Sequence, residues 1–373
     1  MAWQAYFPRL SLDSDNNKAL IAMSGGVDSG VAALIMTENG FECTGCTMKL
    51  YENEDACVPK SRTCCSLKDV DDARAVATRL GMPYYVFNFK DDFRETVIQK
   101  FVDSYERGFT PNPCIDCNRT MKFDKLFARA QALGCRYVVT GHYARIEEQN
   151  GKYLLKKGRC AEKDQSYVLY DMTQEKLAHT LFPLGNMTKD EVRAIASEHG
   201  FINADKPDSQ DICFVPDGDY AKVIEHFSGK SYPPGDFVLR DGTVVGRHKG
   251  IIHYTVGQRR GLGISAPESL YVCGIDVAAN EVILCTRDGL FSKTANACDV
   301  TWISGEVPSA PFDCSVKIRY RHTEVPARVT PVGSDAIRIE FYEDVRAVTP
   351  GQAAVMYDGD TVLGGGTIVP GSC

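Results

Sequence analysis

The sequence predicts an α/β protein in three parts: a parallel-sheet domain, a small central β-rich domain and a C-terminal antiparallel β-barrel. Three observations carry this. From Lys18 to about Gly200, apolar strand-like runs alternate with helical patterns, as in a parallel sheet covered on both faces. After "KPDSQDICF" helical periodicity fades and turn signals crowd in, among them Pro233-Pro234-Gly235, Asp241-Gly242 and Gly261-Leu262-Gly263. From about Val282 short β-rich pieces follow one another, as in a small barrel or sandwich. Boundaries near residues 207 and 280 give units 1–207, 208–279 and 280–373.

The first strand, "KALIAM", leads to a helix with Val27, Val31, Leu34 and Ile35 on one face, ended by Gly40. "FECTGCTMKLY" is the second strand. Its Cys43 and Cys46 stand an odd number of residues apart, which points them to opposite faces, both as core. "LKDVDDARAVATRLG" reads as a helix closed by Gly81. "PYYVFNF" and "RYVVTGHYAR" are further strands, with helical stretches at Phe93–Tyr105 and Asn118–Gly134 between them. Pro111 and Pro113 hold the segment before the second stretch irregular, which places Cys117 at a helix N-terminus. The last domain takes its strands from "VILCT", "CSVKIRYRH", "AIRIEFY", "AAVMYDG" and "TVLGGGTIV".

With 373 residues, 44% apolar and 24% charged, the chain has the composition of an ordinary globular protein with more than one core. No apolar stretch reaches the length of a membrane span, so no membrane partner is expected. The start, "MAWQAYFPRLSLDSDNNK", has no basic region followed by an apolar core, and a cytoplasmic location follows as the expectation. In that setting fifteen cysteines are thiols, metal ligands or redox catalysts rather than a disulfide framework. A formal charge of −7 excludes indiscriminate nucleic-acid binding but not a local basic groove. Two basic islands supply one. Gly242 to Pro267 holds Arg247, Lys249, Arg259 and Arg260 and no acid, and the charges of "SVKIRYRH" are all basic. Such side chains beside Tyr254 or Tyr320 suit phosphates and stacked bases.

The chemistry begins in "ALIAMSGGVDSGVAALI", where a strand becomes a helix through Ser24-Gly25-Gly26-Val27-Asp28-Ser29. A glycine-rich turn there presents backbone N–H groups and the positive helix end to an anion. The lysine that ends an ordinary P-loop is missing, so a phosphate cradle without Walker-type hydrolysis is expected. Ser24 and Ser29 can donate to phosphate oxygens. Asp28 beside an anion calls for Mg²⁺ shared with the phosphates, the bland alternative being a helix cap. "SGGVDS" resembles the PP-loop of the N-type ATP pyrophosphatases, a PP-loop (adenine nucleotide alpha hydrolase-like) domain. Its implied activity is release of pyrophosphate from ATP, leaving AMP on a substrate oxygen.

Cysteines choose among substrates. "GFTPNPCIDCNRTMKF" carries Cys114 and Cys117, and the helix dipole would lower the Cys117 thiol pKa. "KPDSQDICFVPDGDY" carries Cys213. With "GHYAR", "KDQSYVLY", "YTVGQRRGLGI", "KIRYR" and "VTPGQAAVMYDGD", these segments resemble, in order, the bacterial tRNA-specific 2-thiouridylase family. The resemblance implies ATP-dependent adenylation of the 2-oxo group of the wobble uridine (position 34). It further implies a persulfide on Cys213 and a nucleophilic role for Cys117 in release, by one account through a transient Cys117–Cys213 disulfide. Ala22, Met23, Ser24, Gly25, Gly26, Val27, Asp28, Ser29, Met48 and Gly141 would contact ATP. Asn112, Pro113 and Cys114 would face the target base. His142, Lys163, Asp164, Gln165, Arg319, Tyr320 and Gln352 would contact tRNA. The partners implied are the tRNAs decoding Lys, Glu and Gln, and a sulfur relay fed by a cysteine desulfurase.

Alternatives stand beside this. Cys114, Cys117 and Cys213 could instead hold an iron–sulfur cluster, such as [4Fe-4S], with one open iron. "CVPKSRTCC" (Cys57, Cys64, Cys65) lacks paired zinc spacing and reads as a loop over the first domain. An AMP-forming PP-loop ligase for a small molecule would need neither Cys117 nor Cys213. A noncatalytic RNA-binding protein would have no need of Asp28.

Overall fold

In the computed structural model the described residues are 16–52, 67–204, 206, 212–215 and 217–371. The cysteines of "CVPKSRTCC" lie outside them. The alternation of the first domain resolves into β1 (Lys18–Ala22), β2 (Glu42–Lys49), β3 (Tyr84–Asn88) and β4 (Tyr137–Val139), a hairpin of β5 (Ala144–Gln149) and β6 (Lys152–Lys157), and β7 (Thr180–Leu181). Five of these form a parallel sheet in the order β3-β2-β1-β4-β7. Helices α1 (Val27–Glu38) and α2 (Leu67–Arg79) pack on one face. Val27, Val31, Leu34 and Ile35 are buried in that packing, as the helical spacing predicts. Cys43 joins the same cluster and Cys46 the cluster on the opposite face, so the odd spacing was a reliable guide. Burial pushes both thiols up, Cys43 to about 11, which leaves them as inert apolar filling.

Two helices, 90–106 and 113–132, cover the opposite face. Each widens to i→i+5 bonding, over Arg94–Ile98 and Cys117–Lys125. Thr96 and Thr120 face each other across them at 3.2 Å. Pro113 does not hold its segment irregular. It is the first helical residue, where its missing N–H costs nothing, and Asn112 caps the helix by accepting from the Cys114 N–H at 3.2 Å. The helix therefore starts five residues before the expected Asn118.

The central domain is a four-stranded sheet of β8 (Gly235–Leu239), β9 (Val244–His248), β10 (Tyr271–Asp276) and β11 (Glu281–Cys285), in the order β10-β11-β8-β9. The strand read as "VILCT", placed beyond residue 280, thus belongs to the central sheet. The last domain contains β12 (Phe291–Trp302), β13 (Phe312–Lys317), β14 (Val325–Val332), β15 (Ala336–Arg346), β16 (Ala353–Asp358) and β17 (Thr361–Val369). They run β12-β15-β14-β13-β16-β17, and β12 also pairs with β17, closing an antiparallel barrel around Val316, Val329, Ile339 and Met356. The hairpin β5–β6 leaves the first domain to extend this barrel's sheet through Thr361 and Lys156. No helix among the described residues is long and apolar enough to cross a membrane.

Candidate active site

Strand β1 lies between β2, reached through α1, and β4, so strand order reverses at β1/β4. In an open parallel sheet a crevice forms there, beyond the carboxyl ends of the strands. The Ser24–Ser29 turn occupies that position. Gly25 takes φ +73°, and a Cβ on it would lie 2.3 Å from the Asp69 carbonyl oxygen. Gly141, after β4, allows a second close approach: its Cβ would sit 2.9 Å from the Asp28 carbonyl carbon. Ser29 Oγ donates to the Gly26 carbonyl at 3.0 Å and accepts from the Ser24 N–H at 3.2 Å, so this serine braces the turn. Gly26 caps α1 with no side-chain bond to the first-turn N–H groups. Those donors and the dipole fit a phosphate. Met23 is 2% exposed and serves through its backbone, with N–H to the Cys46 carbonyl and its own carbonyl accepting from Thr47. Gly25→Ala, strained in φ and colliding with backbone, is expected to cost about 1–3 kcal/mol of stability. Thermal denaturation and ATP titration check it, with a lower melting temperature and weaker ATP binding as the result.

Asp28 has partners that sequence reading missed. Lys189 Nζ donates to both carboxylate oxygens at 2.8 Å, and Tyr143 OH to Oδ1 at 2.7 Å. Lys189 sits in the first turn of the helix Lys189–Glu198, whose capping box joins Thr188 to Glu191. A cation there opposes the helix dipole, and the Asp28 carboxylate offsets that cost. Oδ1 takes two donors and Oδ2 one, which leaves a lone pair on Oδ2 for a cation. The donor set therefore fits Mg²⁺ held with a polyphosphate. A lysine inside "NMTKDEV" gave no signal, but the tyrosine of "GHYAR" stood in a motif. Lys206 and Asn203 likewise reach back, both donating to the Gly25 carbonyl at 3.0 Å. Lys206 also pairs with Asp69 and Asp72 at 2.5 and 2.9 Å.

Cys117 falls in the second turn of its helix, beyond the uncapped donors of the first, so the dipole's help is weak. The side chain is half-buried, and burial pushes its thiol up to about 11 against the opposing charge of Lys122. The expected lowering of its pKa is thereby corrected. Lys122 is five residues on, and the widened helix brings i and i+5 towards a common face. Its ammonium donates to His142 Nε2 at 3.4 Å, while Thr140 Oγ1 lies 2.7 Å from Nδ1. Burial first, and Lys122 second, hold the His142 imidazole well below its ordinary pKa. The ring is enclosed with Phe123 and Phe182 around it, so it is not an open tRNA contact here. A raised thiol pKa means thiolate is scarce at neutral pH and grows as pH rises. Alkylation of Cys117 should keep accelerating from pH 7 to 10 without a plateau, and Lys122→Met should slow it at pH 8 by removing the favourable charge.

Cys213 follows the first domain's last helix in the chain and is fastened on the opposite face of the sheet, beside the helix 90–106. Tyr51 OH donates to its carbonyl at 2.7 Å, and Phe214 packs edge-on against Phe93 and Phe101 at 5.7 and 5.3 Å. Cys213, Cys117, Ala22 and Met48 all border one apolar cluster, which brings the carboxyl ends of β1 and β2 and both cysteines to one face of the sheet. Cys114 is exposed. Among the described residues no three or more His, Cys, Asp or Glu side chains gather as a metal-holding set. Cys114, Cys117 and Cys213 do not converge as ligands of a cluster.

Several expected tRNA contacts have structural work. Asp164 accepts from the N–H groups of Gly158 and Ser166 at 3.0 and 3.1 Å, and Gln165 accepts from the Tyr143 N–H at 3.0 Å. Lys163 is half-exposed beside them. Gln352 donates to the Thr110 carbonyl at 2.7 Å, and the Thr110 N–H to the Pro350 carbonyl at 2.9 Å. This latches the barrel to the segment before Asn112-Pro113-Cys114. Arg119 adds a second tie, to Asp171 at 2.7 Å and to Asp299 of the barrel at 2.8 Å. Arg319 is half-buried and donates to the Ala347 carbonyl and to Thr349 at 2.8 Å. Tyr320 is half-exposed against Tyr167, with Lys317 near its ring. Tyr254, by contrast, is 4% exposed among Phe237 and His248 and cannot stack on a base. Arg247, Lys249, Arg259 and Arg260 stay exposed.

Comparison with known proteins accounts for the whole chain. Family models match residues 17–217, described as a tRNA methyl transferase HUP domain, 221–286, its PRC-barrel domain, and 292–368, an aminomethyltransferase beta-barrel domain. The tRNA-specific 2-thiouridylase MnmA of Clostridioides difficile is 49% identical over 95% of this chain and 98% of that protein. That of Geotalea uraniireducens is 49% identical over 95% of this chain and 96% of that one. A solved 4-thiouridine synthetase–RNA complex with bound ATP covers 57% of this chain and 50% of that one at 20% identity and TM-score 0.37, too distant to bear on function. Near-full coverage at almost half identity leaves one conclusion: the chain belongs to the tRNA-specific 2-thiouridylase family.

Proposed function

We propose that this chain makes 2-thiouridine at the wobble position (position 34) of tRNA, as an ATP-dependent tRNA-uridine 2-sulfurtransferase. The observation that carries the reading is the placing of Cys117 and Cys213 beside the cluster that also borders Ala22 and Met48. The 2-oxo oxygen of uridine attacks the α-phosphate of ATP, and pyrophosphate leaves. Ser24 to Ser29 and Gly141 hold the phosphates, with Lys189 and Tyr143 orienting Asp28. Mg²⁺, when bound through Asp28, would neutralise charge on the phosphates. A persulfide sulfur on Cys213 then attacks C2, and AMP leaves with the oxygen. Cys117, as thiolate, attacks Sγ of Cys213 and releases the thione, leaving a Cys117–Cys213 disulfide that a thiol reductant must reopen. Asn112, Pro113 and Cys114 face the base, which must leave its stack to arrive.

The methyl-transfer wording of the family models suits this site less well, because methylation needs neither an adenylated oxygen nor a thiol-borne sulfur. Substrate tRNAs would be those decoding Lys, Glu and Gln, and a relay fed by a cysteine desulfurase would load Cys213. We place the protein in the cytoplasm with its tRNA. His142, Lys163, Asp164, Gln165, Arg319, Tyr320 and Gln352 would shape the tRNA-binding face, several of them by holding backbone. Pyrophosphate release that requires unmodified tRNA, with 2-thiouridine detected by nucleoside mass spectrometry, tests the reading. Release without tRNA would favour a small-molecule ligase, and no release a noncatalytic binder. If Arg247, Lys249, Arg259 and Arg260 each meet a phosphate, tRNA affinity should fall roughly a hundredfold between 50 and 200 mM salt. A flat salt profile in a filter-binding titration would remove the basic island from the interface.

A further inference from the structure

The central domain carries a second pair of thiols that tRNA thiolation does not use. Cys273 lies where the register of β10 against β11 shifts, between Val272 and Gly274, and Cys285 ends β11 opposite Tyr271. Both are free. Cys273 packs against the small cluster that holds Cys285, Tyr271 and Leu290, and the Arg240 guanidinium lies beside the pair, its Cζ 3.6 Å from where a Cβ on Gly289 would stand. Arg240 is fixed there by its bond to the Gly289 carbonyl at 2.7 Å. The glycine is needed, since a Cβ at residue 289 would lie 2.9 Å from Cys285 Sγ. Cys273 is half-exposed and Cys285 buried. Access comes from a cavity of about 470 Å³ where the three domains meet, lined by Phe109 from the first, Arg240 and Cys273 from the second, and Ser292 and Pro350 from the third. A small polar oxidant entering it meets Cys273 first.

We propose that Cys273 and Cys285 form a peroxide-oxidisable dithiol, with Cys273, which shares its cavity wall with Arg240, as the peroxide-attacking thiolate and Cys285 as the resolving thiol. The Cys273 thiolate attacks one oxygen of hydrogen peroxide, the O–O bond breaks, and hydroxide leaves to take up a proton as water. Cys273 is then a sulfenic acid. Cys285 gives up its proton, its sulfur attacks the Cys273 sulfur, and a second water leaves as the S–S bond closes. The pair loses two electrons and peroxide gains them. A guanidinium close to the pair and a second thiol on the neighbouring strand are the two features such a site requires. The two cysteines sit on adjacent antiparallel strands, Cys285 paired with Tyr271 two residues from Cys273, which is the neighbourhood a disulfide needs.

The test uses the full chain carrying Cys117→Ser and Cys213→Ser, so that the candidate active-site thiols cannot contribute. After hydrogen peroxide treatment, alkylation and digestion without reductant, the expected product is a linked Cys273–Cys285 peptide that dithiothreitol separates. Cys285→Ser should leave a Cys273 sulfenic acid trapped by dimedone, and Arg240→Gln should slow linkage about tenfold. Both thiols alkylated at undiminished yield, or Cys273 linked to another cysteine, would overturn the proposal. If the Cys285 variant does not fold, the peptide map of the parent protein decides by itself.

Discussion

Cys213→Ser is expected to abolish 2-thiouridine formation, by on the order of 10³-fold or more, while tRNA-dependent pyrophosphate release stays within about twofold. The separation follows from where the residue sits. Its backbone is held by Tyr51, and its neighbours Phe214 and Val215 fill the core, so replacing Sγ by Oγ disturbs none of the anchoring. A serine oxygen cannot carry or deliver sulfane sulfur. In the proposed mechanism adenylation uses the nucleotide loop at the β1/β4 crevice and does not need the thiol. Nucleoside mass spectrometry and a pyrophosphate assay on the same reaction read the two steps apart. Full thiolation turnover in the variant would refute the persulfide assignment.

For Asp28→Asn the opposite split is expected: adenylation falls on the order of 10²-fold, and tRNA binding is largely kept. The amide loses the charge that neutralises Lys189 and that, in the proposed mechanism, would hold Mg²⁺. Lys189, at 10% side-chain exposure, is left with a neutral partner, which costs about 2 kcal/mol of stability. Assays well below the lowered melting temperature separate the catalytic loss from this one. Lys189→Met on its own should also slow adenylation, by releasing the carboxylate from its orientation. Unchanged adenylation kinetics in Asp28→Asn would refute the metal-and-phosphate role.

Much of this protein was legible in one dimension because its signals are local. Alternating periodicities announced the parallel sheet, and two glycines, two serines and an aspartate announced the tight turn from β1 into α1 that the proposed phosphate cradle uses. The faces of Cys43 and Cys46 followed from the two-residue repeat of a strand alone. Local rules failed where one residue type serves two geometries. Pro113 breaks a helix in its interior and begins one at its first position, and that ambiguity moved Cys117 by more than a full turn, while burial inverted the expected shift of its thiol.

What the sequence by itself determined is the fold class, the turn at Ser24–Ser29 and the pair Cys117 and Cys213. Only the tertiary structure decided their surroundings. It supplied Lys189 and Tyr143 for Asp28, 161 and 115 residues away along the chain. It enclosed His142 and Tyr254, bound Gln352 to Thr110, and carried the hairpin β5–β6 into the last barrel. Each of these depends on contacts between distant segments, whose burial and charge pairing no spacing encodes. Desolvation is likewise a property of the packed neighbourhood, so the proton affinity of a thiol becomes readable only once its neighbours are in place.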